Sequence, residues 1–195
     1  MIKKVTDKII LASKSPRRKQ LLKQIDVDFE VVPSQIDEDL SLDLKPNLFV
    51  EHYANLKAHN VANEYQNSWV IGADTIVVFN NKIFGKPKDK NESYSMLEKL
   101  SGNTHEVFTG VSIHHQEKGI KHTFHEKTIV EFKTLDDKCI SYYINTYNTL
   151  DKAGSYGIQD WISAFIKGID GCFYNVMGFP LAKFYDEFNI LNNIK

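Results

Sequence analysis

The sequence predicts an α/β protein in which helices flank a mixed, twisted sheet. Strand-like and helix-like segments alternate along the 195 residues. Helices separate many of the strands, whereas short turns join others, and this combination favours a mixed sheet over a purely parallel one. Apolar residues make up 42% of the chain and charged residues 25%, which is typical of a globular protein with a buried core.

The first half of the chain alternates strands and helices and then ends in a hairpin. Strands are predicted over residues 8–13, 28–33, 69–79 and 82–87. Helices are predicted over residues 16–25 and 47–65. The long helix is indicated by small and apolar residues at helical spacing, namely Val50, Ala54, Ala58, Val61 and Tyr65. The apolar segment "WVIGADTIVVF" predicts a buried strand, and the two asparagines after it suit a tight turn.

The second half of the chain contains two longer strands between helices. Helices are predicted over residues 90–102, 136–147 and 181–194, the last of which closes the chain. The two longer strands cover residues 105–116 and 122–135, and a strand with a turn covers residues 162–171. A glycine-containing loop, "DKAGSYGIQD", covers residues 151–160. No linker composition interrupts the chain, so residues 1–195 are predicted to form a single domain, with a smaller lobe around residues 80–135 as an alternative.

Charge and cysteine content restrict the class of partner. The formal net charge is −1, so no general positive field attracts nucleic acid or a membrane surface, and neither is predicted as a partner. The two cysteines, Cys139 and Cys172, are far apart and suggest a reducing compartment. No apolar run approaches the length of a membrane span, and the short apolar piece near the start is followed at once by arginines rather than by a signal-peptide pattern. A cytoplasmic protein is expected.

The stretch "IILASKSPRRKQLL" places two arginines at the positive end of a helix. Ser15 suits the N-cap and Pro16 the first helical position. A capped helix with a solvated basic face is the simpler interpretation, but cations in a first turn oppose the helix dipole. A bound phosphate would reverse that penalty, because Arg17, Arg18 and the free backbone N–H groups could donate to it, with Ser13 and Ser15 adding hydroxyls. We therefore hypothesise a polyphosphate site at this helix.

A carboxylate interrupts the strand that should be most deeply buried. Asp74 needs a partner or a metal ion there, unless it merely caps the end of the strand. Lys57 lies beside the apolar stripe of the long helix, where a lysine can also extend to solvent. Lys86 lies in a turn that lacks the Walker spacing. Any carboxylate of the acidic segment 37–39 could complete an oxygen-rich Mg²⁺ site or simply be solvated.

Other catalytic patterns are absent from the sequence. It contains no HExxH, GxGxxG or GxSxG motif. Four histidines gather on the predicted hairpin, namely His114, His115, His122 and His125. Alternation along exposed strands explains them better than a zinc site does.

Six segments in order resemble the Maf family of nucleoside triphosphate pyrophosphatases: "LASKSPRRKQLL", "ADTIVVF", "FGKP", "LSGNTHEVFTGV", "DKAGSYGIQ" and "NVMGFPL". They span nearly the whole chain and are specific as a set. The resemblance implies a Maf/Ham1-like (ITPase-like) fold with two lobes around a central cleft, and a homodimer. It also implies hydrolysis of a nucleoside triphosphate to the monophosphate and diphosphate, with a divalent metal cation, Mg²⁺ or Mn²⁺, as cofactor.

The resemblance assigns roles to individual residues. Asp74 is the expected proton acceptor, Lys57 and Lys86 are further catalytic residues, and Glu38 with Asp74 would hold the metal. Substrate-binding roles fall on Ser13, Ser15 and Arg18. The markers of the dTTP/UTP branch are Arg17, Thr75 and Gln159, where the branch acting on 7-methyl-GTP has an aromatic residue, Gln and Glu. Departures from the family pattern occur outside the proposed chemistry, at Asn103, Thr149 and Phe179.

The expected reaction is removal of diphosphate from dTTP and UTP, with modified pyrimidine nucleotides included as a cleansing of nucleotide pools. The amide of Gln159 offers one donor and one acceptor, which suits a pyrimidine edge carrying O4 and N3–H, and Arg17 and Thr75 could position Gln159 or bound waters. Two alternatives remain open. One is the same reaction on 7-methyl-GTP or another non-standard nucleotide, and the other is a nucleotide-sensing regulator of septum formation in cell division.

Overall fold

The computed structural model describes residues 5–193, and a mixed sheet forms its centre. The strands are β1 Ile9–Leu11, β2 Glu30–Val31, β3 Trp69–Phe79, β4 Lys82–Phe84, β5 Thr104–His115, β6 Ile120–Phe132 and β7 Ile166–Asp170. The helices are α1 Pro16–Lys23, α2 Pro46–Ala62, α3 Lys90–Leu100, α4 Asp137–Thr146, α5 Phe173–Val176 and α6 Leu181–Asn192. Two 3₁₀ turns cover Ala153–Ser155 and Trp161–Phe165. This architecture confirms the predicted α/β class.

The sheet leaves part of one strand edge open. Its order is β2-β1-β3-β5-β6-β7, with β1 parallel to both of its neighbours and the other pairs antiparallel. One edge of β3 pairs with β5 over almost its full length. The other edge pairs first with β1, at residues 69–71, and last with β4, at residues 77–79. Among the described residues no strand covers this edge at residues 72–76, so a recess is left around Asp74.

Apolar side chains cover both faces of β3. On one face Trp69, Ile71 and Val77 join the main core, where the Trp69 ring lies 5.2 Å from that of Phe188 on α6. On the other face α2 packs directly against the sheet. A side chain at Gly72 would place its Cβ 2.3 Å from the backbone oxygen of Ala54, so α2 can approach this closely only over glycine.

Some predicted elements differ from those observed. The strand predicted over residues 28–33 is only Glu30–Val31, because it lies at the exposed edge of the sheet and pairs with β1 alone. Residues 162–165 form a 3₁₀ turn rather than a strand, since Trp161 packs locally against Phe165. The short helix α5 was not predicted. The last residue of the predicted closing helix, Ile194, lies outside the described residues.

The alternative of a smaller lobe around residues 80–135 stays a prediction. That segment supplies β4, α3, β5 and β6, and its strands belong to the same sheet as β1 and β3. The expectation that the hairpin histidines are exposed is wrong for two of them. His114 and His115 are buried, His114 beside Asn55 of α2 and His115 against the Trp69 ring. Within residues 5–193, no helix combines the length and the apolar character needed to cross a bilayer.

Candidate active site

A cavity of about 860 Å³ opens beside the unpaired stretch of β3. Its walls come from the start of α1, the segment 34–40, α2, β3 and the loop over residues 150–159. Every residue to which the family resemblance gives a role lines this cavity, whereas Asp39, offered as an alternative metal ligand, is not among the lining residues. The fold therefore gathers side chains from distant parts of the chain around one recess.

Helix α1 begins as predicted. Ser15 is its N-cap, and the Ser15 hydroxyl accepts a hydrogen bond from the backbone N–H of Arg18 at 3.5 Å. Pro16 occupies the first turn, where its missing N–H costs nothing. The Ser13 hydroxyl accepts from the backbone N–H of Ser15 at 3.2 Å. Both hydroxyls thus lie at the end of the helix whose backbone N–H groups favour an anion.

The Arg18 guanidinium joins three segments at the bottom of the cavity. Its Nε donates to the Gly178 carbonyl, its Nη1 to the Ala73 carbonyl and its Nη2 to Thr75 Oγ1, each at 2.9 Å. Nη1 also donates to Ser13 Oγ at 3.2 Å. Four of the five guanidinium N–H groups are therefore used within the protein, and one remains for a substrate oxygen. Arg18 offers a polyanion mainly its charge rather than the forked contact that the sequence suggested.

Arg17 points away from Arg18, towards the loop after α4. Its Nη1 donates to Asp151 Oδ2 at 2.8 Å, and its Nη2 donates to the Asp151 carbonyl at 2.9 Å. The sequence suggested that Arg17 and Thr75 could position Gln159 or bound waters, but neither makes a hydrogen bond to Gln159. Thr75 Oγ1 instead accepts a hydrogen bond from Arg18 and lies 3.0 Å from Thr109 Oγ1. The Gln159 side chain is exposed at the cavity wall, and within residues 5–193 no hydrogen bond holds its amide.

Asp74 lies almost fully buried at the base of the cavity, where α2 supplies its partner. Lys57 Nζ lies 2.6 Å from Asp74 Oδ1 and also donates to Glu38 Oε1. The lysine reaches this point because α2 packs closely over Gly72, two residues before Asp74 on the same face of β3. The expected buried carboxylate with a partner is therefore present, and Lys57 is not a lysine that extends to solvent.

The two carboxyls have pKa shifts of opposite sign. Burial raises the pKa of the Asp74 carboxyl, and the charge of Glu38 adds to this rise while Lys57 opposes it. Burial also favours the neutral form of Glu38, but Lys57 and Lys86 outweigh it and lower the pKa of Glu38 to about 2. Glu38 therefore stays ionised, while Asp74 takes up a proton more readily than an ordinary aspartate. Such a divergence within one cavity is typical of acid–base sites.

The carboxyl oxygens fit a divalent cation. Asp74 Oδ2 is buried and has no hydrogen-bond partner among residues 5–193, so it needs a partner from outside the chain. Carboxylate oxygens are the ligands that Mg²⁺ and Mn²⁺ prefer, and Mg²⁺ sites commonly use one or two carboxylates together with substrate phosphates. The described part of the chain holds no group of three or more His, Cys, Asp or Glu side chains arranged for a metal. Asp74 and Glu38 thus fit an open site shared with substrate, not a closed structural one.

Three further lysines line the cavity, of which only Lys86 was predicted from the sequence. Lys86 is exposed at the rim, with its Nζ 4.0 Å from Glu38 Oε1. Lys14, between the two serines, also lines the cavity. Lys152 lines it too, although its side chain is buried beside Asp151 and Asp160. A lysine in a glycine-containing loop predicts solvent exposure, so only its position within "DKAGSYGIQ" could have drawn attention to it.

This arrangement can bind a polyanion and move a proton. Cationic side chains and a helix N-terminus surround the cavity, while a carboxyl with a raised pKa lies at its base. A mixed α/β sheet that carries such a site defines, at the level of class, an enzyme that acts on phosphorylated substrates.

Sequence comparison gives the family. Residues 8–191 match the model of Maf-like proteins, and the chain belongs to the Maf family. The dTTP/UTP pyrophosphatase of Thermosipho africanus is 47% identical over 179 residues, which cover 92% of this chain and 91% of that protein. The dTTP/UTP pyrophosphatase of Ruminiclostridium cellulolyticum is 45% identical over 185 residues, covering 94% and 96% respectively. Among solved structures, the Staphylococcus aureus Ham1 protein aligns with a TM-score of 0.46 and 17% identity, over 65% of this chain and 72% of that chain.

Proposed function

We propose that the protein hydrolyses dTTP and UTP to the monophosphate and diphosphate. The observation that carries this proposal is the Asp74 carboxyl, buried with one oxygen unpartnered at the base of a cavity lined with cations. The relatives named dTTP/UTP pyrophosphatase, at 47% and 45% identity over most of the chain, support the choice of substrate.

The reaction adds water across the anhydride between the α- and β-phosphorus atoms. The substrate arrives with about four negative charges, so neutralisation of charge is the main requirement. Arg18, Lys57 and Lys86 supply positive charge, and the N-terminus of α1 supplies backbone N–H groups. Asp74 orients the attacking water and accepts its proton at Oδ2, and its raised pKa favours that step. The bond to the leaving diphosphate breaks as the new oxygen–phosphorus bond forms.

Asp74 and Glu38 are the residues that would hold Mg²⁺ or Mn²⁺. Such an ion, when bound, lowers the pKa of a bound water and polarises phosphoryl oxygens. Lys57 Nζ contacts both carboxylates. Lys57 also lines the cavity, so its ammonium would attract a phosphate oxygen of the substrate.

Base choice is assigned to the loop over residues 150–159 and the apolar wall beside it. Tyr156, Ile158 and Met177 line the cavity and are nearly buried, so they offer a surface for a flat ring. The exposed amide of Gln159 offers a donor for O4 and an acceptor for N3–H of thymine or uracil. Pyrimidines modified at C5 keep that edge, and we include them among the substrates.

A nucleotide panel tests the proposal. The wild-type protein is incubated with Mg²⁺ or Mn²⁺ and dTTP, UTP, dATP, dGTP, GTP or 7-methyl-GTP, and monophosphate and diphosphate are both measured. We expect turnover of dTTP and UTP and little of the purine nucleotides. Preferred turnover of 7-methyl-GTP, or binding of dTTP without release of diphosphate, would contradict the proposal.

The Asp74→Asn variant serves as the matched control for that panel. It keeps the size of the side chain but removes the proton acceptor, and we expect kcat to fall by about 10²–10⁴-fold. Circular dichroism and thermal unfolding check that the fold is retained. A variant that keeps most of its activity would show that another group accepts the proton.

We further propose a cytoplasmic homodimer that acts on free nucleotides. The free cysteines Cys139 and Cys172 support a reducing compartment. The dimer is proposed from the family resemblance alone. Light scattering coupled to size exclusion measures the molar mass directly, and a mass of about 22 kDa at micromolar concentration would contradict the dimer.

A further inference from the structure

Arg17 contacts the loop that carries Gln159 through a single residue. Both of its terminal nitrogens donate to Asp151, one to the carboxylate at 2.8 Å and one to the backbone carbonyl at 2.9 Å. The Arg17 side chain is 16% exposed, so the pair is partly shielded from water. A forked contact of this kind fixes geometry as well as charge. It joins the first turn of α1 to a loop more than 130 residues later in the chain.

The contact continues from Asp151 into the loop. Lys152 Nζ lies 3.1 Å from Asp151 Oδ1 and 3.5 Å from Asp160 Oδ2. Asp160 Oδ2 also accepts a hydrogen bond from the Tyr143 hydroxyl at 2.9 Å. Arg17, Asp151, Lys152 and Asp160 therefore form a chain of alternating charges, here called the charge chain, that ends beside Gln159.

The charge chain also fixes the backbone just before Gln159. The Tyr143 hydroxyl accepts a hydrogen bond from the backbone N–H of Gly157 at 3.0 Å. A Cβ at Gly157 would lie 2.6 Å from Asp160 Oδ2 and 2.8 Å from the Lys152 side chain. The backbone thus packs directly on Lys152 and Asp160, which are linked to Arg17 through Asp151. The Gln159 amide has no hydrogen bond of its own within residues 5–193, so its place depends on this backbone.

We propose that Asp151, Lys152 and Asp160 are positioning residues that hold Gln159 at the base-binding wall. Arg17 then acts on base choice through Asp151 and not through contact with the nucleotide. The inference rests on the proposed function, since it concerns which bases the same cavity accepts. A direct role of Arg17 in binding phosphate is the competing interpretation, and the experiment separates the two.

The test is a double-mutant cycle with Arg17→Ala, Asp151→Ala and the combined variant. For each protein kcat and KM are measured with dTTP and with dCTP, whose ring edge carries an amine in place of O4. We expect each single change to raise KM for dTTP and to lower the preference for dTTP over dCTP by about tenfold. The preference of the combined variant for dTTP over dCTP should fall no further than that of the more affected single variant. Both changes break the same contact between Arg17 and Asp151. Effects of the two changes that multiply would overturn the proposal.

Inorganic tripolyphosphate, which has no base, separates base positioning from phosphate binding. We expect its inhibition constant to stay within about twofold of the wild-type value in both single variants, well below the tenfold loss expected with dTTP. A large rise in Arg17→Ala alone would assign Arg17 to phosphate binding and overturn the proposal. Lys23→Ala, an exposed cation at the far end of the same helix, is the matched control and should behave like the wild type.

Hydrogen exchange of the backbone gives a readout that needs no turnover. Without nucleotide, amides of residues 152–160 should exchange faster in Asp151→Ala than in the wild type. Lys152→Met should repeat this effect, and Lys152→Arg should restore most of the protection. Unchanged exchange in both Asp151→Ala and Lys152→Met would overturn the positioning role. If the wild type released no diphosphate from dTTP or UTP, the proposed function would fail. The exchange measurement would still test whether the charge chain holds the backbone of residues 152–160.

Discussion

Arg18 is a partly buried cation whose hydrogen bonds go almost entirely to the protein. It satisfies the carbonyls of Ala73 and Gly178 and the hydroxyl of Thr75. The Ala73 carbonyl belongs to the open edge of β3, where a neighbouring strand would otherwise bind it. Arg18 thus closes part of the sheet edge while it brings positive charge into the cavity.

Arg18→Lys should therefore destabilise the protein although it keeps the charge. A lysine cannot reach three separated acceptors, and each buried acceptor left without a donor costs about 1–3 kcal/mol. We expect the free energy of unfolding in urea to fall by about 2–4 kcal/mol. Lys19→Ala, at the exposed neighbouring position, should change it by less than about 0.5 kcal/mol. Equal stability of Arg18→Lys and the wild type would show that the guanidinium bonds contribute nothing.

Lys57 holds two carboxylates that would otherwise repel each other. Its ammonium contacts Asp74 and Glu38 at the base of the cavity, where a divalent cation would also be bound. A lysine and a metal ion that share these partners compete with each other. The contacts of Lys57 with both carboxylates should therefore weaken the binding of a cation to them.

Lys57→Met should tighten Mg²⁺ binding while turnover falls. Removal of one partner from a buried charge group destabilises a protein by about 3–5 kcal/mol, and a bound cation would restore part of that loss. We expect Mg²⁺ to raise the Tm of the variant more than that of the wild type, and calorimetry to show about tenfold tighter binding without nucleotide. Lys23→Met, at an exposed lysine outside the cavity, should show neither effect. Mg²⁺ affinity equal to that of the wild type would indicate that Lys57 does not compete with the ion.

Single residues differ in how much the sequence reveals about them. Asp74 was predictable, because an unpaired carboxylate inside an apolar strand requires a partner. The partner of Arg17 could not be predicted, because a guanidinium on a helix surface can reach several loops. Only the folded chain shows that this partner is Asp151. His114 and His115 were placed wrongly because strict alternation fails where both faces of a strand are covered.

At the scale of elements, the contact between α2 and the sheet sets the site. Gly72 lets α2 lie against β3, and Lys57 extends from α2 to Asp74, two residues further along the strand. The sequence showed the helix and the strand but not their distance, because a glycine inside a strand predicts either a bulge or a close approach. The register of β3 against β1 and β4 creates the open edge, and local sequence patterns could not predict this register either.

Gly72→Ala should therefore disturb both stability and catalysis. Its new Cβ would lie 2.3 Å from one backbone atom of α2 and 2.5 Å from another, so the helix itself must move. We expect a loss of about 1–3 kcal/mol in the free energy of unfolding and a clear fall in kcat with smaller change in KM. Gly168→Ala is the matched control, since the nearest atom to its Cβ is a side-chain oxygen 3.9 Å away. A fully active and stable Gly72→Ala variant would rule out tight packing of α2.

At the scale of the whole molecule, the cavity forms where three kinds of connection meet. The parallel β1 ends beside it and leads into α1, the antiparallel hairpin of β3 and β4 leads on to Lys86 at the rim, and the loop after α4 lines the wall beside α1, where Asp151 contacts Arg17. The sequence predicted the mixed sheet and the residues that gather at the cavity. It could not predict the cavity's shape, because that depends on contacts between segments distant along the chain.

The buried histidines link the stability of the whole molecule to pH. Burial lowers the pKa of His105 to about 4, and burial together with Lys121 and His59 lowers that of His114 to about 4. Because the unfolded chain binds these protons at about pH 6.5, it holds more protons than the folded one between about pH 6.5 and pH 4, so the free energy of unfolding should fall as the pH drops through that window. His105 alone could contribute up to about 3 kcal/mol.

The raised pKa of Asp74 acts in the opposite direction, so the comparison with His105→Gln isolates the histidine. Urea unfolding at several pH values should give a shallower slope for His105→Gln, and an unchanged slope for the exposed His52→Gln. Parallel curves for the wild type and His105→Gln would mean that His105 binds its proton equally well in both states.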